Sequence, residues 1–360
     1  MRVYFTSSNI QGCYFVRALL PLQANGWDGD QTSIRPEHKT PEDKAKASQH
    51  ADIAVFHRPD QPDHKKIAML LKQAGKKIVF DNDDTYLDDG GFRFNEYMDK
   101  ERLERGMKRV QNTLADFISI SDLVTCSTEY LAEEYRKIHN NVIVLPNCVD
   151  PFYFDEPLRN ENGKVRIGIV GSLMATKDIE LIEPIIRHFL NRPDVEIVIF
   201  SLPPDTQDEM NRQLYKEEYA FIDEIMKADN IIWQPFVMFD EYYETLNNLR
   251  LDIAIIPRAE TYFNKCKSNI KFLEMSMFEI PVIAQSFSDG GSPYEVDKED
   301  AEHMILAKDN WIEEIEKLIA NKELRLKMGK EARKYVEEKY NIENNAHLWL
   351  KAYETLYDKN

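Results

Sequence analysis

Short apolar runs rich in β-branched and aromatic residues alternate along the chain with amphipathic stretches of helical spacing. This alternation is typical of parallel sheets covered by helices. Five strands are predicted in the first half, at Val3 to Thr6, Ile53 to His57, Lys77 to Asp81, Leu123 to Ser127 and Val142 to Pro146. Five more follow, at Val165 to Val170, Val195 to Phe200, Ile231 to Pro235, Asp252 to Pro257 and Pro281 to Gln285. The pattern therefore predicts an α/β protein with two doubly wound parallel sheets.

The residues between the two series indicate a domain boundary. The segment from Pro151 to Pro157 begins and ends with proline, and the polar stretch from Arg159 to Lys164 follows it, as expected of an interdomain linker. The tail from Trp311 to Tyr357 has no strand pattern and predicts two or three helices, with Gly329 and the Tyr340-Asn341 step as candidate interruptions. We therefore expect domains at residues 1–152 and 153–338 and a closing helix at 339–360. Ligands should bind where the carboxyl ends of the two sheets face a common cleft.

Charge and cysteine content narrow the class of function. The formal net charge of -17 repels nucleic-acid phosphates, so a nucleic-acid partner is disfavoured. The four cysteines are widely separated and form no C-x-x-C pair, which indicates a reducing compartment and disfavours a zinc ribbon. No apolar run approaches the roughly 20 residues that span a bilayer, and the N-terminus enters a strand. We expect a soluble, cytoplasmic protein without a transmembrane segment.

The segment from Phe263 to Glu274 carries polar residues that a simple core helix would not need. Ser268 is predicted to cap this helix, so that the free backbone N–H groups from Asn269 onward and the positive end of the helix dipole meet the cleft. Such a helix terminus suits a diphosphate. Lys271 and Glu274 are three residues apart and share one helical face. The alternative is a solvated ion pair that contributes a few tenths of a kcal/mol.

This segment, continued to Ala284, resembles the donor-site signature of the retaining GT-B glycosyltransferase family, group one, whose members transfer sugars from nucleotide diphosphates. Lys271, Glu274, Pro281 and Val282 fall where the family has them. The resemblance implies the GT-B fold, in which two Rossmann-like domains face a cleft. It also implies that Glu274 binds the ribose hydroxyls and that Lys271 faces the leaving diphosphate.

The resemblance covers roughly the last two thirds of the chain. Gly171 and Ser172, followed by Lys177, are similar to the first loop of the family's C-terminal domain, where a glycine lets the backbone approach the diphosphate and a lysine neutralises it. The segment from Pro146 to Asp150 resembles the family's P-N-G-V/I-D element, although a cysteine replaces its glycine. The tail from Leu324 to Tyr357 resembles the final helices, which cross back to the N-terminal domain.

One position departs from the family's pattern. The family commonly has a second glutamate eight residues before Glu274, where this chain has Cys266. That glutamate usually contacts the transferred sugar, so the identity of the sugar is left open. Lys267 is a candidate replacement, and the alternative is that it is a solvated loop lysine.

Polar groups of the N-terminal half also follow predicted strands. Gly12 lies in the loop after the first strand, which is beside the donor phosphates in the resembling family, but a tight turn would equally need it. No G-x-G-x-x-G is present, which disfavours a dinucleotide oxidoreductase. His57 ends the second strand and is a candidate proton acceptor, the alternative being a hydrogen-bonded structural histidine.

Three aspartates, Asp81, Asp83 and Asp84, lie at the carboxyl end of the third strand and repel one another. Acceptor hydroxyls, a divalent ion, or a basic neighbour such as Arg17 or Arg58 should compensate them. We predict that Asp81 and Asp84 position the acceptor, the alternative being a helix cap. Since repulsion would be relieved, replacing either by asparagine is expected to leave stability unchanged or higher.

The sequence thus predicts transfer of a sugar from a UDP- or GDP-linked donor to a hydroxyl of a glycan, a lipid-linked or another acceptor. Lys177, Lys271 and the helix terminus would stabilise the leaving diphosphate, without a metal or a further cofactor. Two alternatives stay open. One is phage-type glucosylation of modified DNA bases, which the acidic charge disfavours. The other is a catalytically inactive nucleotide-sugar-binding subunit, which the missing glutamate would fit.

Overall fold

The computed structural model describes residues 1–7, 12–27, 40–59, 61–85, 100–171, 178–201, 216–295 and 302–357. Helices and strands alternate through these ranges. Within them, no helix combines the length and the apolar character needed to cross a membrane.

The first sheet is parallel, and its strands lie side by side in chain order. They are β1 (Val3–Ser7), β2 (Ile53–His57), β3 (Lys77–Asn82), β4 (Leu123–Cys126) and β5 (Val142–Val144). The described residues of this half form the helices α1 (Gly12–Tyr14), α2 (Leu20–Ala24), α3 (Pro41–Ser48), α4 (Pro62–Gln73), α5 (Lys100–Ile120) and α6 (Glu129–Arg136), with a π-helical turn at Phe15–Leu19. Register brings the carboxyl ends of β2 and β3 together, with His57 opposite Asp81.

The second sheet is also parallel and has six strands. They are β6 (Val165–Val170), β7 (Val195–Ser201), β8 (Ile231–Pro235), β9 (Ile253–Ile256), β10 (Val282–Gln285) and β11 (Met304–Ala307). The described residues between them form the helices α7 (Ile179–Phe189), α8 (Lys216–Ile225), α9 (Phe239–Asn248), α10 (Tyr262–Cys266) and α11 (Ile270–Met277). The spatial order β11-β10-β9-β6-β7-β8 reverses direction between β6 and β9. Ligands of open α/β sheets bind at such a switch point.

All ten predicted strands are present and the predicted α/β class is confirmed, but the sequence missed β11. This strand, Met304 to Ala307, lies at the edge of the sheet and pairs with β10. An apolar run of four residues is too short to distinguish a strand by its sequence pattern.

Three helices follow β11: α12 (Trp311–Ala320), α13 (Lys322–Lys339) and α14 (Ile342–Glu354). The Tyr340-Asn341 step separates the last two, as predicted, whereas Gly329 lies inside α13 and does not interrupt it. A Cβ atom at Gly329 would overlap the carbonyl oxygen of Glu279. The glycine therefore serves the close approach of α13 to the end of α11.

The final helix crosses back to the first half of the chain, as the resemblance implied. The backbone of Ile342 donates to the carbonyl of Val149 at 2.8 Å. In α14, the carbonyl of Ala346 accepts from Asn25 Nδ2 at 3.2 Å, and the ring of Tyr353 lies 5.4 Å from that of Trp27. The two halves are thus joined through the tail as well as through the linker.

An aromatic contact joins the halves beneath the cleft. Phe15, in the π-helical turn, packs on Phe239 and Tyr243 of α9, with ring centroids 4.3 and 6.2 Å apart. Tyr153 of the linker covers Phe15 edge-on at 4.8 Å. Burial of this apolar surface holds the two sheets in one arrangement.

Candidate active site

A crevice opens where the second sheet reverses direction. The crevice is lined by Gly171, which follows β6, and by Asp178, Pro257 and Arg258. Gly171 has a φ of +131°, and a Cβ atom added there would meet no atom of the described residues within 4 Å. Its glycine is therefore required by the backbone conformation and leaves the crevice open. Ser172 and Lys177, the other predicted residues of this loop, lie outside the described residues.

Asp178 and Arg258 form the polar wall of this crevice. The Asp178 carboxylate is 2% exposed and accepts from Arg258 Nη1 at 2.8 Å, from the Ala259 backbone at 2.7 Å and from Asn264 Nδ2 at 3.0 Å. Burial opposes the charge on Arg258, but Tyr294 and Asp178 outweigh it and raise its pKa. Arg258 was not among the predicted site residues, although an arginine two residues after the buried strand β9 is a detectable signal.

The segment that precedes α11 differs from the prediction at one residue. Ser268 does not cap the helix, because Asn269 occupies the N-cap position, and the Asn269 side chain makes no capping hydrogen bond. The short helix α10 ends at Cys266, and Lys267 is extended with a ψ of 155°. This break moves Ser268 outside the helix, where its Oγ accepts from Asn147 Nδ2 at 2.8 Å.

Lys271 and Glu274 form a cluster with Tyr242 of α9. Glu274 Oε2 accepts from Lys271 Nζ at 2.9 Å and from the Tyr242 hydroxyl at 3.0 Å. Lys271 Nζ also donates to the Tyr242 hydroxyl at 2.7 Å. Burial and then Glu274 raise the pKa of Tyr242 well above its ordinary value, so this residue stays a donor. The Glu274 side chain is 7% exposed, so the solvated-pair alternative does not describe this cluster.

The arginine compensation considered for the aspartates is present. Arg17, which is fully buried, donates from Nη2 to Asp81 Oδ1 at 2.6 Å and from Nε to Oδ2 at 3.2 Å. Thr125 Oγ1 adds a bond to Oδ1 at 2.7 Å. Burial opposes the charge on Arg17, but Asp81 outweighs it and raises the pKa of Arg17.

This geometry corrects the acceptor-positioning expectation for Asp81. Its side chain is 2% exposed and both of its oxygens accept bonds from protein groups, so it does not line the cleft as an acceptor-binding residue would. Its loss would also leave the buried charge of Arg17 unpaired, so the structure favours a loss of stability on replacing Asp81 over the unchanged or higher stability expected from the sequence.

Asp83 and Asp84 share Arg58. Arg58 Nη2 lies 2.7 Å from Asp83 Oδ1 and 3.2 Å from Asp84 Oδ2. Burial alone would raise the pKa of Asp83, but Arg58 and then His57 hold it below its usual range. Asp84 is 15% exposed and also accepts from Lys267 Nζ at 2.5 Å. Lys267 is therefore an interdomain partner of Asp84 and not a solvated loop lysine.

His57 lies behind the aspartates. Its side chain is 1% exposed, with Nδ1 at 3.4 Å from Asp81 Oδ2 and Nε2 at 3.8 Å from Asp83 Oδ1. Burial lowers its pKa to about 4, and this effect exceeds the opposing effect of Asp81. This position fits the structural alternative, because a buried imidazole that no solvent reaches does not meet a reacting hydroxyl.

Two further predicted positions make contacts between the halves. Gly12 begins α1, and a Cβ atom there would lie 3.4 Å from Cδ2 of Phe239, so the glycine permits close packing on α9. Cys266 is fully buried in the apolar cluster of the first half, and its carbonyl accepts from Thr128 Oγ1 at 2.9 Å. An apolar interdomain contact thus occupies the position at which the resembling family has glutamate.

Through the part of the chain that the structure describes, no group of three or more His, Cys, Asp or Glu side chains is arranged to hold a metal ion. The aspartates after β3 are instead surrounded by cationic side chains, namely Arg17, Arg58 and Lys267.

No protein-family model matches the sequence, and no curated protein matches it either. Solved structures match over the whole chain. A sucrose-phosphate synthase from Thermosynechococcus elongatus has a TM-score of 0.66 at 12% identity, and the match covers 100% of both chains. Anabaena HepE in complex with UDP has a TM-score of 0.65 at 11% identity, over 99% of this chain and 100% of that chain. The apo form of the lipopolysaccharide outer core galactosyltransferase WaaB has a TM-score of 0.58 at 11% identity, over 99% of both chains. This likeness shows that the chain has the GT-B fold.

Proposed function

We propose that the protein is a glycosyltransferase that moves a sugar from a nucleotide diphosphate to an acceptor hydroxyl, with retention of anomeric configuration. The observation that carries the proposal is the buried Lys271–Glu274–Tyr242 cluster, because a lysine and a glutamate stand together where the resembling family holds its donor. The full-length likeness to GT-B structures supports the same reading.

Glu274 is the proposed ribose ligand. Its Oε2 is engaged by Lys271 and Tyr242, while no described residue donates a hydrogen bond to Oε1. Two ordered donors on one oxygen fix the carboxylate, and the other oxygen is left to accept from a sugar hydroxyl. Bonds between a hydroxyl and a carboxylate are short and strong, so such a site would orient the donor without reacting with it.

Lys271, Lys267 and the N-terminus of α11 are proposed to face the leaving diphosphate. The backbone N–H groups of Phe272 and Leu273 donate to the Asn269 carbonyl. Those of Ile270 and Lys271, the first two residues of the helix, have no acceptor within the helix. These preoriented groups would stabilise the charge that develops as the glycosidic bond breaks. Lys177 is proposed for the same role, and Gly171 and Gly12 for close backbone approach.

The acceptor hydroxyl is proposed to enter beside Asp84. Among the three aspartates of this cluster, Asp84 is the most exposed. It pairs with Lys267, which lies in the segment that is proposed to bind the donor. A glycan or lipid-linked acceptor in the cytoplasm fits the proposal, and the donor is proposed to be UDP- or GDP-linked. HepE was crystallised with UDP-glucose, which makes UDP-glucose the first donor to test.

The test is calorimetric titration of the purified protein with UDP and GDP in EDTA, followed by transfer assays with the matching nucleotide sugars. Binding of one nucleotide and transfer that persists in chelator are expected, since lysines and a helix terminus meet the charge. Activity that EDTA abolishes and Mn²⁺ or Mg²⁺ restores would refute the metal-free mechanism. Tight binding without transfer or donor hydrolysis would instead favour an inactive nucleotide-sugar-binding subunit.

A further inference from the structure

A chain of hydrogen bonds runs from the first sheet to Ser268, in the segment that is proposed to bind the donor. It begins at the bidentate pair of Asp81 and Arg17. Arg17 Nη1 then donates to Asn147 Oδ1 at 3.1 Å, and Asn147 Nδ2 donates to Ser268 Oγ at 2.8 Å. Arg17, Asp81 and Asn147 are 0, 2 and 4% exposed, so water does not compete for these bonds. The chain crosses from one half of the protein to the other.

The direction of every bond in this chain follows from chemistry. A guanidinium group only donates, so Asn147 must turn its carbonyl oxygen to Arg17 and its NH₂ group to Ser268. Arg17 Nη1 also donates to the carbonyl of Leu145, which further fixes the guanidinium group. The Ser268 oxygen is therefore an acceptor toward Asn147, and its own hydrogen must point elsewhere.

The Ser268 hydroxyl hydrogen can be donated to a bound ligand. The residue is partly exposed, it lies between Lys267 and the first turn of α11, and no described residue accepts a bond from its hydroxyl. An anion bound at this segment would accept it, since hydroxyl donors to phosphate oxygens make charge-assisted bonds.

We propose that Asn147 is a positioning residue that turns the Ser268 hydroxyl toward the diphosphate of the donor, with Arg17 and Asp81 holding it in that orientation. The inference rests on the proposed function and deepens it. It assigns the buried Asp81–Arg17 pair a role in donor binding from the opposite half of the protein. The role requires a donor at Nδ2 of residue 147, which an isosteric carboxylate lacks.

A double-mutant cycle on nucleotide affinity tests this role. Asn147→Asp keeps the shape but presents only acceptors, so the Ser268 hydroxyl would donate to residue 147 and turn away from the nucleotide. UDP and GDP are the probes, titrated calorimetrically. We expect Ser268→Ala to weaken binding of the nucleotide by about tenfold, and Asn147→Asp by at least as much. Ser268→Thr retains the hydroxyl and should restore most of the affinity.

The interaction between the two substitutions decides the question. If Asn147 acts through Ser268, Asn147→Asp costs clearly less affinity in the Ser268→Ala background than in the wild type, because no hydroxyl remains to be turned. Losses that multiply in full, or a Ser268→Ala variant with wild-type affinity, would overturn the inference. If thermal melts show that Asn147→Asp does not fold, Asn147→Ala takes its place in the cycle.

Asn230→Asp is the matched control. Asn230 is likewise buried, at 3% exposed, and donates through Nδ2 to the carbonyl of Phe189 at 2.9 Å, away from the cleft. It should lose stability while keeping nucleotide affinity. A wild-type protein that binds neither UDP nor GDP would refute the proposed function and this inference together. Binding with multiplicative losses would refute this inference alone.

Discussion

Lys267, which lies between α10 and α11, donates to Asp84 of the first half, with Nζ and Oδ1 2.5 Å apart. The same ammonium group lies 4.2 Å from the centre of the Phe263 ring. Because the carboxylate of Asp84 already neutralises this ammonium group, a diphosphate that uses Lys267 must compete with Asp84.

Asp84→Asn should therefore strengthen binding of UDP or GDP a few-fold while reducing transfer to the acceptor. The amide no longer competes for Lys267, but it also no longer accepts strongly from an acceptor hydroxyl. Calorimetry and transfer assays measure the two effects separately. Asp289→Asn is the control, because Asp289 pairs with the nearby Lys265. Equal affinities of the two variants would show that the Asp84–Lys267 pair does not compete with the nucleotide.

Glu274→Gln should weaken nucleoside diphosphate binding by about 1 to 3 kcal/mol, because a neutral amide replaces a charged acceptor of ribose hydroxyls. The amide can still accept from Tyr242, so the fold should survive. Glu279→Gln is a control on the same segment, since Glu279 pairs with Arg159 at the other end of α11. Unchanged affinity of Glu274→Gln for both nucleotides would remove the main support for a donor site at this helix.

Asp81→Asn should lower the free energy of unfolding by about 3 kcal/mol, because it leaves the guanidinium of Arg17 buried without its counter-ion. Chemical denaturation measures the loss. Asp116→Asn is the control, because the Asp116 side chain is 66% exposed and pairs with Lys65 at the surface. This change should cost less than about 1 kcal/mol. If the two variants are equally stable, Asp81 is not the structural anchor that the geometry indicates.

His57 should make the protein less stable in mild acid. Burial lowers its pKa from an ordinary 6.5 to about 4, so between these values the unfolded chain binds more protons than the folded one. The stabilisation is fully present above pH 6.5 and is lost as the pH falls toward 4, by up to about 3 kcal/mol.

His57→Gln is expected to flatten this part of the stability profile, measured by denaturation between pH 4 and 7. The lowered pKa of Asp83 acts in the same direction but below the ordinary value of 3.8, so it leaves this window largely unaffected. A variant with the same slope as the wild type would assign the acid sensitivity to other groups.

The alternation of apolar runs and amphipathic stretches was enough to predict ten strands, since a buried strand must be apolar wherever it packs. The pairing of Lys271 with Glu274 could also be predicted, because the two residues are close in sequence and their spacing places them on one helical face. The edge strand β11 escaped prediction because a short apolar run is not distinctive by itself.

Only the tertiary structure decided which polar residues are buried and what they face. Asp81 and Arg17 are 64 positions apart, and Asn147 and Ser268 are 121 apart, so no local pattern could pair them. The same holds for Cys266, which the packing of α10 on the first half buries completely. The residue type gives the charge of a side chain, but its desolvation and its partners depend on segments that only folding brings together. For that reason the sequence by itself determined ten of the strands and the helix that carries Lys271 and Glu274, whereas the separate environments of Asp81, Asp83 and Asp84 were decided by contacts with residues distant in sequence.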